Sequence, residues 1–275
     1  MTGYGAPLVV IVAYGDPEHL RRCLNALDAP VGQVAVVDNG LSRVVEDLCS
    51  EHGVTYVKPP FNLGFAAGVN LGCQLRGDRD VLLLNPDAIF GWTDVLRMQA
   101  KLHEVAQRAA VSPRLVRPDG SLEPPSWPIP SPSSVWADAL GLGRWHRGPR
   151  FLTGAVLILR NEALREVGEF DERFFLYAEE SDWQLRALRA GWSLDLVLEV
   201  TAVHVGGATS SSESTRSGHS HRSAQLFALK WYGPRGAALI RLATLVGAVR
   251  RSVTGGRAGR VESLATARAC LRRMA

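Results

Sequence analysis

The sequence predicts an α/β fold built on a mostly parallel sheet with helices on both faces, followed by C-terminal helices. Three observations carry this. Short, wholly apolar runs recur through the first hundred residues. They alternate with stretches of helical period. Two acidic residues, Asp38 and Asp87, stand just past the ends of two of the runs. Strands that are apolar on both faces belong to a sheet covered on both sides, which is typical of parallel sheets. Ligands in such sheets bind beyond the carboxyl ends of the strands.

The elements follow in order. Residues 8–13 form a continuous β-branched run and predict the first strand. A helix follows over 17–27, with Asp16 as N-cap and Pro17 at its first position. Strands are predicted over 33–37, 54–57 and 81–84, with helices over 44–49 and 65–75 between them. The stretch 117–150 is rich in Pro, Ser, Gly and Trp. It predicts an irregular loop on the acceptor side or a packed surface loop, and Trp127, Trp136 and Trp145 argue against disorder. Regular structure resumes with a strand over 151–159. A helix runs from Glu179 to about Ala190, stopped by Gly191, and a strand covers 192–198. The Ser-, Gly- and Thr-rich stretch 206–221 lacks periodicity and predicts a mobile loop. The remainder reads as two helices split near Thr254-Gly255-Gly256. The chain thus divides into a main domain over 1–221 and a basic helical segment over 222–275.

Composition excludes several classes. The chain has 275 residues, 46% of them hydrophobic, enough for a sizeable core. Cys23, Cys49, Cys73 and Cys270 form no CxxC or Cys/His spacing, so neither a zinc site nor a disulfide scaffold is indicated. No signal peptide is expected, and no apolar run reaches the ~20 residues of a membrane span; the stretch 237–249 is interrupted by Arg241. A cytoplasmic protein is expected. The net charge of +4 is modest, and no nucleic-acid partner is expected. The charge is uneven, since from Arg222 onward Glu262 is the one acid among many arginines. That tail is either a contact for an anionic membrane surface or a solvated helical face, and dimerisation through it is the third reading.

Several side chains suit chemistry. Asp38 and Asp87 should project into one crevice, where a carboxylate can bind a base or ribose or hold a divalent ion. Asp38, followed by Asn39 and Gly40, is also an ordinary turn former. Asn62-Leu-Gly-Phe-Ala-Ala-Gly-Val-Asn70 opens a helix whose N-terminus favours an anion. No GxGxxG follows a strand and no nucleotide-hydrolysing loop is present, which disfavours dinucleotide cofactors and triphosphate hydrolysis. On the helix from Glu179, the spacing places Glu179, Asp182 and Arg186 near one face as an ion-pair set. Glu180 points ~100° away and is left free as a general base. An acidic first turn also simply suits the helix dipole. His204 follows a strand, as a metal ligand, a phosphate contact or a structural residue. Trp127, Asp182 and Trp183 are candidates for the acceptor side.

In this order the motifs resemble the family 2 glycosyltransferases of GT-A fold, especially rhamnosyltransferase-like members. The matching pieces are Val36-Val-Asp-Asn-Gly40, Asn62 to Asn70, Leu82-Leu-Leu-Asn-Pro-Asp87, Phe151-Leu-Thr-Gly-Ala155, the run from Gly168 to Glu180, and His204-Val-Gly-Gly207. They span roughly residues 8–232. The resemblance implies an inverting transferase that uses Mg²⁺ or Mn²⁺. Its donor would be a nucleoside-diphosphate sugar, a dTDP-deoxyhexose such as L-rhamnose first and a UDP-sugar second. Its acceptor would be a glycan, a lipid-linked glycan or a small molecule, as in cell-wall or polysaccharide biosynthesis. By the same resemblance the donor contacts are Ala13, Tyr14, Asp38, Asn39, Asn62, Gly64, Phe65, Gly68, Asn70, Asn85, Asp87, Gly154 and Ala155. Asp38 would read the base, and Asp87 and His204 would hold the metal. Asn85 stands in place of the family's first metal-binding acid, as is common in the rhamnosyltransferase-like branch. Glu180 stands where the family places a catalytic Asp, and Glu179 is its alternative. The competing readings are a nucleotidyltransferase, disfavoured because residues 13–17 lack Lys and Arg, and a non-catalytic carbohydrate-binding relative.

Overall fold

The computed structural model describes residues 4–145, 147–206 and 213–254. The chain forms two compact units, one of residues 1–127 and 151–223, the other of 128–150 and 224–275.

The first unit opens with β1 (Leu8–Ala13), α1 (Pro17–Leu27), β2 (Val34–Asp38), α2 (Arg43–Glu51), β3 (Thr55–Val57), α3 (Phe65–Cys73) and β4 (Val81–Leu84). These are the elements the sequence predicts. Helix α1 shows why. The Asp16 carboxylate accepts from the Glu18 N–H, Pro17 sits in the first turn, and Leu20, Cys23, Leu24 and Leu27 form its buried stripe. Strand β1 lies parallel between β2 and β4, and β3 extends β2.

Further along come β5 (Ala88–Ile89), α4 (Trp92–His103), β6 (Arg108–Val116) and the short β7 (Leu122–Glu123). Strand β8 (Ser126–Pro128) pairs with a later strand, β9 (Arg150–Leu152). Between β8 and β9 lies α5 (Pro132–Ala139). After β9 follow β10 (Val156–Leu159), α6 (Asn161–Val167), α7 (Glu179–Arg189), β11 (Ser193–His204) and α8 (Glu213–Thr254). The sheet order is β3-β2-β1-β4-β10-β6-β11-β5, with β7 hydrogen-bonded to β6. Strand β10 runs antiparallel to both β4 and β6, so the parallel half ends there and the sheet is mixed. Alternate residues of β1 feed two cores. Val9 and Ile11 pack with α1, α2 and α4, while Val10 and Val12 pack with α3, α6 and α7. Helix α3 lies close on β1 because Gly72 offers no Cβ, which would stand 2.5 Å from Val10 Cγ1.

In the second unit, Ser131 caps α5 through a reciprocal bond with Ser134. A 3₁₀ turn follows at Gly143–Trp145. Residues 224–254 of α8 complete the unit. The helix breaks at Gly233 (φ 63°), just before Pro234. Tyr232 Oη donates to the Pro130 carbonyl at 2.9 Å, Gly247 packs on Ala139, and Arg251 pairs with Asp138 at 3.2 Å.

Several sequence expectations need correction. The run 151–159 is two strands, interrupted at Thr153-Gly154-Ala155. The 117–150 stretch contains β8 and α5. Of the expected mobile loop, residues 207–212 lie outside the described residues and 213–221 are helical. The expected split at Gly255-Gly256 and Cys270 also lie outside; the helix break observed is Gly233-Pro234, the stronger breaker dipeptide. Among the described residues no helix is long and apolar enough to cross a membrane. Cys23, Cys49 and Cys73 are buried free thiols.

Candidate active site

A cavity of about 400 Å³ opens beyond the carboxyl ends of β1 and β4. Tyr14, Asn39, Asn62, Gly64 and Phe65 form one side. Asn85, Pro86 and His204 form another. The β9–β10 turn Thr153-Gly154-Ala155 faces Glu179 and Glu180, and Phe175, Leu176, Tyr177 and His219 close the remainder.

The wall formed by Asn39 to Phe65 is held by its own backbone. Asn39 Nδ2 donates to the Gly64 carbonyl at 2.8 Å, and Asn39 Oδ1 accepts from the Leu63 N–H at 3.3 Å. Asn62 Oδ1 accepts from the Gly64 N–H, and the Phe65 N–H donates to the Phe175 carbonyl at 2.7 Å. Gly64 has φ 83°, and a Cβ there would stand 2.4 Å from that same carbonyl oxygen. Three successive donors, the N–H groups of Leu63, Gly64 and Phe65, are thus used within the wall. Gly68 lies against Val12 and Asn39. Asn70 brackets Phe170 with two backbone bonds of 2.9 Å, and its amide also reaches Glu172. Gly68 and Asn70 hold the wall and are absent from the cavity lining.

Asp38 stands behind the wall and is absent from the cavity lining. Its carboxylate is fully buried and accepts from the Gly40 N–H, the Ser42 N–H and Tyr56 Oη at 3.0, 2.7 and 3.1 Å. The turn-forming reading of Asp38 is the one its geometry carries. Ala13 is buried, and its carbonyl accepts from the Asn39 N–H.

Helix α7 begins at a sharp reversal. Tyr177 and Ala178 both have φ 70°, an uncommon conformation for residues with a Cβ. The next two residues bring their carboxyl groups together. Glu179 is buried, Glu180 is half-buried, and the Oε2 atom of each is buried without a hydrogen-bond partner. Desolvation and the charge of Glu180 hold the Glu179 pKa well above the usual carboxylate range. Desolvation also raises that of Glu180, which is eased by a hydrogen bond from Glu179. Burial raises both, so the two carboxyl groups titrate as one coupled pair. This corrects the expected grouping of Glu179 with Asp182 and Arg186.

Those two residues pair with each other at 3.0 Å, Asp182 being fully buried. Trp183 is also fully buried, with Nε1 donating to the Gly168 carbonyl at 2.9 Å. Neither Asp182 nor Trp183 can face an acceptor, while Trp127 is half-exposed and outside the cavity lining. One turn beyond Glu180, the fully buried Gln184 accepts from the Leu152 N–H at 2.7 Å and donates to its carbonyl at 2.9 Å. This amide sets the β9–β10 turn against Glu180, whose side chain lies over the bare Cα of Gly154.

The third group centres on His204. Its Nδ1 contacts Glu123 at 2.9 Å, its Nε2 stands 3.4 Å from Asp87 Oδ1, and Asn85 Nδ2 approaches Nε2 at 3.5 Å. Burial alone would lower the His204 pKa, but contact with Asp87 and Glu123 raises it on balance. For Asp87, burial acts upward and is outweighed by His204, so its pKa falls below the ordinary carboxylate value. Asp87 Oδ1 is buried with no hydrogen-bond donor on it. Among the described residues no three-ligand metal cluster forms. Asp87 and His204 nonetheless suit a hard cation, which takes few protein ligands and fills its shell with phosphate oxygens and water. Glu123, Gln184, Phe175 and His219 were missed in the sequence. The Asp119-Gly120 turn after β6 is the only signal that a strand returns to bring Glu123 back.

The mixed sheet with its crevice beyond the strand ends has the GT-A type of fold. Residues 8–168 match the family described as Glycosyl transferase family 2, and the chain belongs to it. A low-salt glycan biosynthesis hexosyltransferase of Haloferax volcanii is 25% identical over 71% of this chain and 66% of its own length, so about a third of that relative lies outside the match. An N-acetylglucosaminyl-diphospho-decaprenol L-rhamnosyltransferase of Mycobacterium tuberculosis is 28% identical over 71% of this chain and 75% of its own. Among solved structures, a mannosyltransferase of Pyrobaculum calidifontis in complex with GDP-mannose and Mn²⁺ shares the fold. Its TM-score is 0.58 at 13% identity, covering 98% of this chain and 81% of that one. TarS of S. aureus (residues 1–349) gives 0.52 at 11% identity, covering 98% and 92%.

Proposed function

We propose that this glycosyltransferase is inverting and that Glu180 is its general base. The observation that carries this is the Glu179–Glu180 pair on the cavity wall, two adjacent carboxyl groups whose Oε2 atoms are both buried without a partner, with Glu180 lying over the bare Cα of Gly154. Glu180 takes the proton of the acceptor hydroxyl, and the oxygen attacks the anomeric carbon on the face opposite the leaving diphosphate. Tyr14, Asn39, Asn62 and Phe65 line the nucleoside side of the cavity, and Gly154 and Ala155 the sugar side. Asp87 and His204 hold a divalent cation, Mg²⁺ or Mn²⁺, which when bound neutralises charge on the diphosphate. Glu123 fixes the ring of His204 through Nδ1. We take the donor to be a dTDP-deoxyhexose and the acceptor a lipid-linked or growing glycan; the Mycobacterium relative, an L-rhamnosyltransferase acting on a diphospho-decaprenol-linked sugar, supports L-rhamnose and a lipid-linked acceptor.

The test is a donor panel scored by nucleoside-diphosphate release, with and without Mg²⁺ or Mn²⁺. We expect dTDP-L-rhamnose to lead and turnover to require metal. Asp87→Ala should abolish that turnover. Glu180→Gln should lower it by about 10²–10⁴, the usual worth of a positioned base, with donor affinity retained. Glu179→Gln should retain much of the activity, because the amide can still donate to Glu180. Greater loss from Glu179→Gln than from Glu180→Gln would reverse the assignment. Metal-free activity unaffected by Asp87→Ala would remove the cation.

A further inference from the structure

Charge is segregated between the two units. The second contains thirteen Lys or Arg against two acids, a net of +11, and the first eighteen against twenty-five, a net of −7; together they give the +4 of the chain. No acidic residue occurs from 224 to 254. After the Gly233-Pro234 break, the helix has two apolar faces. One uses small residues, with Ala243 and Ala248 buried and Gly247 against Ala139 of α5. The other carries Leu239, Leu242, Val246, Val249 and Val253 at alternating spacings of three and four. At ~100° per residue these five fall within one narrow stripe. Val246 is half-buried, while Leu239, Leu242, Val249 and Val253 are 48%, 50%, 60% and 71% exposed. Arg235 lies in line with the stripe and is exposed; Arg250 borders it with Nη2 donating to the Asp138 carbonyl at 3.2 Å, and Arg241 falls ~80° beyond its other edge.

From this we infer that residues 235–253 form a docking surface for an anionic lipid membrane, lying in its interface. A second copy meeting it stripe to stripe is a poorer occupant, because like-charged arginines would face one another with no acid from 224 to 254 between them. Anionic headgroups answer the arginines, while the acyl boundary takes up the aliphatic stripe and the arginine stems reach outward. The helix lies on the membrane, since it is not apolar enough to cross it.

Sedimentation of the full chain with vesicles tests this. Vesicles of phosphatidylglycerol and phosphatidylcholine should bind at least about tenfold more protein than phosphatidylcholine alone, and salt should reduce the difference. The double variant Leu242→Ser/Val249→Ser should lose about tenfold in binding to the mixed vesicles. Both positions are exposed, so its thermal midpoint should match the parent's. In a second variant, Arg235→Gln/Arg241→Gln, the preference for anionic vesicles should fall while the stripe is intact. Equal partitioning into both vesicle types would overturn the inference, as would undiminished binding of the serine variant. So would a parent that is dimeric without lipid and becomes monomeric in that variant.

Discussion

Replacing Gln184 by Leu isolates the link between α7 and the β9–β10 turn. The substitution keeps side-chain volume and helix propensity. What it removes is one amide bonded to both the N–H and the carbonyl of Leu152, at 2.7 and 2.9 Å, from a fully buried position. Two backbone groups are then left without partners away from water. Each costs about 1–3 kcal/mol, so the pair sets a loss of about 2–6 kcal/mol. A central value of about 3 kcal/mol lowers the midpoint of a chain this size by roughly 6–12 °C. The second consequence is catalytic. Thr153-Gly154-Ala155 no longer has a fixed distance to Glu180, and a displacement of about 1 Å can lower turnover up to 10²-fold. Thermal unfolding followed by circular dichroism reads the first effect, and nucleoside-diphosphate release below the midpoint reads the second. An unchanged midpoint with unchanged turnover would refute the claim that this amide positions the site.

Gly64→Ala should weaken binding of the nucleoside diphosphate in titration calorimetry and lower the thermal midpoint. Its Cβ would meet the Phe175 carbonyl at 2.4 Å in a backbone of φ 83°, so the Phe65–Phe175 bond must break; unaltered affinity would contradict this. Glu179→Gln should stabilise the protein with a definite pH dependence. A carboxyl whose folded pKa is raised above the ordinary 4.5 favours the fold below that value, and the contribution is lost as pH rises through the folded pKa. Urea midpoints of parent and variant should therefore agree in acid and diverge in the variant's favour as pH rises; a constant difference would show that the Glu179 proton is not involved.

What was legible in the sequence follows the range of the interactions. Helix α1 and strands β1 and β4 were readable because their signals are local: a cap, a proline and an apolar period. The first acids of α7 were readable as a motif, but not their surroundings. Helical spacing placed Glu179 with Asp182 and Arg186, because it counts only neighbours on the helix. It omits the desolvation and backbone reversal that turn Glu179 toward Glu180. Contacts across long separations left no trace. Gln184 reaches Leu152 across 32 residues, Glu123 reaches His204 across 81, and Asn70 reaches Phe170 across 100. Asp38 is a local case: the turn signal of Asp38-Asn39-Gly40 is the part of its reading that its three donors account for. His219 was hidden by composition, because a Ser-rich stretch reads as a loop even where its end is helical.

The replacement of Asp by Glu at position 180 becomes intelligible from its surroundings. The longer side chain needs space, and Gly154 supplies it. A Cβ there would stand 3.6, 3.7 and 3.8 Å from the Cγ, Cβ and Cδ of Glu180, so the methylenes lie flat across a surface without a side chain. The added carbon carries the carboxylate past this point on the cavity wall. Two adjacent acids in one desolvated place would repel if both were charged, and a single proton held by the pair relieves that repulsion. Such an arrangement requires the chain to enter α7 from an unusual direction, which the left-handed Tyr177 and Ala178 provide at a cost of about 1–3 kcal/mol each. Neighbouring contacts hold that reversal. Ser181 Oγ donates to the Ala178 carbonyl, Ser223 Oγ donates to the Leu176 carbonyl at 2.8 Å, and His219 stacks on Phe175 at 4.9 Å. His219 and Ser223 of α8 therefore belong to the construction of the candidate site, because they brace the reversal that precedes Glu179 and Glu180.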